Sequence, residues 1–352
     1  MLNYLDEPTL PEEEPVEARI PRRKFLKIGM AATAVVAGAG LLSNPEIVAR
    51  QNPNLPGPLA THQHLPSFQG KVVPRVTANG FDPMAFLTSF DYGRTSRLPD
   101  GRTLREYRIA AVDAEIEVAA GIKYPAWTYN GQVPGPTLRC TEGDLIRVHF
   151  TDNSSHPHTI HFHGIHPGSM DGVFEQVEPG GEFTYEFTAE PFGLHPYHCH
   201  TMPIKKHIEK GLYGTFMIDP KTPRPPAKEL VMVMNGFDTD FDGENEIYTV
   251  NGVANYYLYN PIQIGKDELV RIYLVNMTEF DPINSIHVHA NFFRHFKTGT
   301  NLDHYEYTDT VILGQGERSV LEFSYKFPGK YMFHAHQSEF AELGWMGLFE
   351  VV

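Results

Sequence analysis

Four His-x-His pairs stand at equivalent positions in the two halves of the chain: His161 with His163, His198 with His200, His287 with His289, and His334 with His336. In a β-strand, residues i and i+2 face the same side, so each pair presents two imidazoles together and turns its middle residue the other way. Neutral imidazole is the commonest side-chain ligand for copper, zinc and iron. One such pair fits a solvated strand face, but four deliver eight nitrogens, more than one tetrahedral ion can use. The count therefore points to several metal ions close together. The middle residue of the second pair is Cys199, one of only two cysteines. Its sulfur must point away from the side taken by His198 and His200, which predicts a second site behind the first. His158 lies three residues before His161 and His207 eight after Cys199. Two histidines and one thiolate are the trigonal donor set of a blue-copper electron-transfer site. Cys140 has no ligand-type neighbours and reads as structural. Two cysteines cannot supply a disulfide framework.

Strands must position these pairs. Asp144–Phe150 and Glu182–Phe187 alternate with period two, and turn signals such as Asn130-Gly131 and Gly180-Gly181 separate such segments. With 30 Gly, 28 Pro and scarce helical periodicity, the chain reads as all-β. Its two halves repeat each other. Glu142–Phe150 leads into His161-Phe-His163, and Lys266–Leu274 leads into His287-Val-His289. A Phe/Tyr-rich strand then precedes His198-Cys-His200 in one half and His334-Ala-His336 in the other. Two copies of one antiparallel sandwich explain the repeat. Residues 46–103 read as an extended arm with one strand at most, 104–220 as the first domain, the Pro-rich 221–229 as a linker, and 230–352 as the second domain.

From Leu104 to Val352 the chain resembles the multicopper oxidase family. His158-Thr-Ile-His161-Phe-His163 matches that family's His-x-x-His-x-His run, His198-Cys199-His200 its central motif, and His207–Leu212 its final histidine and axial position. The resemblance implies two cupredoxin-like Greek-key β-sandwich domains and a type 1 copper on His158, Cys199 and His207. Leu212 then stands at the axial position as a non-ligand, with Met202 and Met217 as substitutes. In the second half Asn284, Ala335, Phe340 and Trp345 stand where that copper's ligands and axial residue would be. This is similar to the two-domain, laccase-like members whose blue copper lies in domain 1 only. The resemblance then implies a type 2 copper on His161 and His287 and a type 3 pair on His163, His198, His200, His289, His334 and His336. Copper amounts to about four ions per chain on that donor count. It also implies a homotrimer with each cluster between subunits, and oxidation of a small reducing substrate, phenolic or aromatic, coupled to reduction of dioxygen to water. Asp171 matches a family position that relays protons, and Glu339 is a second candidate. Two alternatives stand beside this reading. A copper nitrite reductase shares the trimer but uses a mononuclear catalytic copper with three histidines. A metal-ion oxidase would act on Cu(I), Fe(II) or Mn(II), for which the sequence displays no Met-rich or carboxylate cluster.

The formal net charge of -14 excludes nucleic acid and anionic membrane as partners. Arg22-Arg23-Lys24-Phe25-Leu26-Lys27 precedes an apolar run ending at Leu42, and the segment resembles a twin-arginine export signal. The run is shorter than the roughly 20 residues a membrane helix needs, so no permanent span is expected. Residues 1–45 read as a signal region with Ala37-Gly38-Ala39 as the cleavage region, placing the protein in the periplasm or outside the cell. His62, His64, His149, His156, His166, His195, His295 and His304 exceed the ligand count; His195, close in sequence to the cluster ligands, reads as a surface or core residue ahead of a supporting one.

Overall fold

Strand Leu145–Asp152 buries every second side chain, as does the closing strand Met346–Val351, the pattern of a sheet with one face on a core. Strand Val270–Asn276 is buried at all seven positions, because each of its faces meets a different core. Val270, Ile272 and Leu274 enter one apolar cluster, and Tyr273 and Val275 another. These elements belong to a computed structural model that describes residues 74–352. The twin-arginine segment, His62 and His64 lie outside the described residues.

Four sheets form two sandwiches. In the first, Arg94–Arg97, Thr103–Ala119, Leu145–Asp152 and Glu182–Thr188 lie side by side, with Ile122–Tyr129 paired to the long second strand. The facing sheet runs Leu138–Thr141, Tyr213–Asp219, Gly193–His198, His161–Phe162. The second sandwich has a six-stranded sheet from Ile247–Val250 to Glu306–Thr308. Its five-stranded partner is ordered Ile262–Ile264, Met346–Val351, Gly329–His334, Ile283–Val288, Thr310–Gly314. The sandwiches are mixed rather than antiparallel. Thr103–Ala119 runs parallel to Leu145–Asp152, and Lys228–Phe237 parallel to Val270–Asn276. Leu138–Thr141 and Ile262–Ile264 likewise run parallel to Tyr213–Asp219 and Met346–Val351. Period-two alternation carries no information about strand direction, so the sequence reading missed these pairings.

One apolar cluster fills each sandwich, and a third joins them, with Ile116, Tyr124 and Met217 against Val231, Phe237 and Val320. Residues 82–87, ahead of the first sandwich, are built into this seam. Asp82 caps the short helix Pro83–Phe86. Phe86 enters the joining cluster and Leu87 the second core, while Val231 N donates to Leu87 O at 2.8 Å.

Candidate metal centre

Antiparallel pairing sets His161 opposite His198, and the chain then turns through Cys199 into helix Ile204–Glu209, which carries His207. His158 Nδ1 and His207 Nδ1 stand 3.1 Å apart. The Cys199 sulfur lies 3.3 Å from the His207 nitrogen and 3.8 Å from that of His158. These separations leave a point about 2 Å from all three atoms, the bond length of an imidazole-ligated ion. All three side chains are buried. Burial brings His158 and His207 down to about 4, so both rings are neutral and offer lone pairs. Two buried imidazole nitrogens and a sulfur converging on one point fit a soft cation. Burial pushes the Cys199 thiol up, and coordination is what removes a proton from such a thiol. Thr159 N faces the sulfur at 3.4 Å. Leu212 shares an apolar cluster with Cys199, whereas Met202 is 71% exposed and Met217 belongs to the cluster between sandwiches.

On the other side of Cys199 the four imidazoles of the first sandwich form a quartet. His161 lies 5.2 Å from His163 and from His198 and 5.5 Å from His200, ring to ring. The second sandwich repeats it: His287 stands 5.0, 5.6 and 5.5 Å from His289, His334 and His336. His161 Nδ1 donates to Asp171 O at 2.8 Å and His287 Nδ1 to Asp309 O at 3.0 Å. His198 and His334 donate to the carbonyls of Cys199 and Ala335. These bonds place the proton on Nδ1 and leave Nε2 bare. The bare nitrogen of His198 then faces His163 Nε2 at 3.2 Å, and that of His334 faces His289 Nε2 at 2.9 Å. His163 and His289 can each donate Nε2–H across that gap in the metal-free protein, or turn a lone pair to a shared cation, so the donor sets of both quartets fit metal ligation. Burial and neighbouring imidazoles take His163 down to about 3 and His198 to about 4. No ring of one quartet contacts a ring of the other among the described residues.

The register continues where the chemistry stops. Cys199 N donates to Leu212 O and Ala335 N to Trp345 O; His200 N donates to Thr159 Oγ1 and His336 N to Ser285 Oγ. At the four positions corresponding to the buried sulfur site, the second sandwich is filled. Trp345 Nε1 donates to Asn284 Oδ1 at 3.0 Å, Asn284 Nδ2 donates to Thr278 Oγ1, and Phe340 stacks on Tyr248 at 3.8 Å.

Asp171 sits at the first quartet, its Oδ1 3.1 Å from His161 Nδ1 and 3.9 Å from His166 Nε2. Glu339 is exposed on helix Ser338–Glu342. His195 is buried, with Nε2 donating to Pro191 O and Nδ1 without a partner. Cys140 is buried in the first core. Sequence reasoning set His166 aside although it stands three residues past His163. It missed Arg318, which comes from the second sandwich and lines the cavity beside His161, His163 and Asp171. It missed Trp127, whose ring lies 5.4 Å from His158 and 4.9 Å from His207; nothing in the spacing pointed to it. It also found no carboxylate cluster, yet Asp238, Asp240, Asp242 and Glu246 bring oxygens within 4.8 Å of one another. The Asp-x-Asp-x-Asp-Gly run was the overlooked signal, although both Asp238 oxygens accept from the amides of Asp242 and Gly243.

Comparison with known proteins follows this geometry. Two multicopper oxidase profiles match residues 111–223 and 223–352. A crystal structure of a multicopper oxidase superposes with a TM-score of 0.77 at 56% identity, covering 78% of this chain and 98% of that one. The copper-containing nitrite reductase of Neisseria gonorrhoeae is 30% identical over 250 residues, 65% of this chain and 63% of its own length. A copper resistance protein A homolog of Pseudomonas syringae pv. tomato is 30% identical over 47% of this chain and 29% of its length. The chain thus spans less than two thirds of these curated relatives. Matched along both sandwiches, with the histidine pairs in place, the chain belongs to the multicopper oxidase family.

Proposed function

We propose that the protein is a laccase-like oxidase that takes single electrons from a phenolic or aromatic reductant and reduces dioxygen to water. The observation that carries this reading is the pair of matching histidine quartets, only one of them backed by a buried cysteine. His158, Cys199 and His207 would hold a type 1 copper, with Leu212 buried in the same apolar cluster as Cys199. His161 and His287 would hold a type 2 copper, and His163, His198, His200, His289, His334 and His336 a type 3 pair. Bound copper supplies one-electron storage and the binding of dioxygen.

The chain's own residues do the rest. Cys199 is covalently continuous with His198 and His200, so the peptide links the two sites. The carbonyls of Asp171, Cys199, Asp309 and Ala335 fix the imidazole tautomers. Asp171 Oδ1, partly exposed beside His161, takes protons from solvent and delivers them at the first quartet. Because the quartets of one chain do not meet, we assign the complete cluster to the first sandwich of one subunit and the second of its neighbour, closed as a homotrimer. Exposed Ile165 beside His161 and His163, and exposed Ile283 and Ile312 on the paired strands at His287, supply apolar surface for that contact. No helix among the described residues is long and apolar enough to cross a membrane, and export through the twin-arginine segment to the periplasm or beyond belongs to the same proposal.

The test is dioxygen uptake with 2,6-dimethoxyphenol, with the product identified. Four electrons per dioxygen and no accumulated hydrogen peroxide are expected. Nitrite reduction without dioxygen uptake would replace the oxidase with the nitrite reductase reading that the Neisseria relative favours.

A further inference from the structure

The peptide unit between Thr159 and Ile160 lies midway between His158 of the sulfur site and His161 of the first quartet. Two phenols grip it from its two polar ends. Tyr129 Oη donates to its carbonyl, Thr159 O, at 2.5 Å, and its amide, Ile160 N, donates to Tyr185 Oη at 2.9 Å. Both rings are fully buried in the first core, and burial pushes both phenols up, so each keeps its proton. Thr159 makes two further bonds: its amide faces Cys199 Sγ at 3.4 Å, and its Oγ1 accepts from His200 N at 3.1 Å. The second sandwich lacks the grip. Tyr129-Asn130-Gly131 recurs there as Val250-Asn251-Gly252, with Asn and Gly at closely matching positive φ. Tyr185, paired with Val148, recurs as Leu321, paired with Ile272. Neither replacement carries a hydroxyl. The equivalent residues Ser285 and Ile286 sit in a strand, paired with Ile312 and Val311, whereas Thr159 and Ile160 lie outside any strand. The phenols thus stand on the side that has the cysteine, in the place that strand pairing fills on the other.

We propose that Tyr129 and Tyr185 are positioning residues of the sulfur site: by fixing the Thr159–Ile160 peptide they hold the Thr159 amide on the Cys199 sulfur and so set the reduction potential of copper bound there. The proposal rests on the type 1 copper reading and adds what tunes that site. Hydrogen bonding around the Cys sulfur is one of the levers on such a potential. An amide that donates to a thiolate draws charge away from its bond to copper, which favours copper(I) and raises the potential. Loss of either hydroxyl frees the peptide to turn, weakens the amide contact with sulfur and lowers the potential. It also leaves a buried backbone group short of a partner.

The test compares Tyr129→Phe and Tyr185→Phe with Tyr107→Phe. Tyr107 is buried in the same core and its Oη donates to Arg139 O at 2.7 Å, a bond to no residue of the sulfur site. All three variants keep the ring and should melt a few degrees lower. In copper-loaded, full-length protein, redox titration of the blue absorption should give a lower potential in Tyr129→Phe and Tyr185→Phe and an unchanged one in Tyr107→Phe. In copper-free protein, the Ile160 amide should exchange about fivefold or more faster in Tyr185→Phe than in Tyr107→Phe. An unchanged or raised potential in either clamp variant, or an equal fall in Tyr107→Phe, overturns the tuning. Equal exchange of the Ile160 amide in the two variants overturns the clamp. An unsubstituted protein without blue absorption removes the type 1 copper reading and the tuning with it, while the exchange measurement still decides the clamp.

Discussion

The two sandwiches carry the same four-histidine quartet and differ behind it. In the first, the residue between the paired histidines is Cys199, and His158 and His207 close on its sulfur. In the second it is Ala335, and an indole hydrogen-bonded to an amide fills the volume. Backbone register is shared down to the amide of the middle residue. A sandwich of this kind therefore keeps its cluster face when the site behind it becomes ordinary core. The quartet depends on strand alternation and carbonyl anchors, and the sulfur site on three separate side chains that vary independently of it.

Converting one sandwich into the other gives the largest expected effect. Cys199→Ala reproduces the second sandwich's middle residue; it should abolish the blue absorption, lower copper by about one ion per chain and reduce dioxygen uptake to background. Visible absorption and metal analysis read this directly. The reverse change, Ala335→Cys, should create no blue absorption, because Asn284, Phe340 and Trp345 supply neither missing ligand. A new blue band in that variant would break the comparison. Trp345→Phe removes the donor to Asn284 Oδ1, leaves Ser285 N as its partner, and should cost roughly 0.5–1.5 kcal/mol, seen as a melting temperature a few degrees lower with the blue band intact.

Acid separates the sandwiches more gently. Burial depresses His158, His195, His198 and His207 to about 4 and His163 to about 3, from 6.5. The unfolded chain binds protons at these rings from 6.5 downward, whereas the folded chain resists until about 4. Their contribution to stability is therefore present above pH 6.5 and lost as pH falls toward 4. In the second sandwich burial lowers His289 and His295 without taking either as far. In copper-free protein, amide exchange should rise in the first sandwich before the second as pH drops through this window. Simultaneous loss would contradict the assignment.

Much of this was legible in the sequence because it follows from period-two geometry. His-x-His in a strand places two rings on one face whatever the surroundings, and Cys199 between two such rings must face the opposite way. Asn284, Ala335, Phe340 and Trp345 were readable as non-ligands, though the hydrogen bond that joins the first and last was not. Strand direction stayed hidden because alternation is blind to it. Trp127 and Arg318 also stayed hidden, because each reaches its site through tertiary packing, Arg318 from the other sandwich. The stretch before Thr103 looked like a passive arm, since short Pro-rich segments carry no periodicity to show that Phe86 and Leu87 are buried.

The most direct test of the central claim is the copper content per chain of fully metallated protein. About four ions, one blue and three in a cluster completed by both quartets, is the result expected from the donor count. About two would mean that the second sandwich's quartet does not complete a cluster, and the oxidase reading would give way to a mononuclear catalytic site.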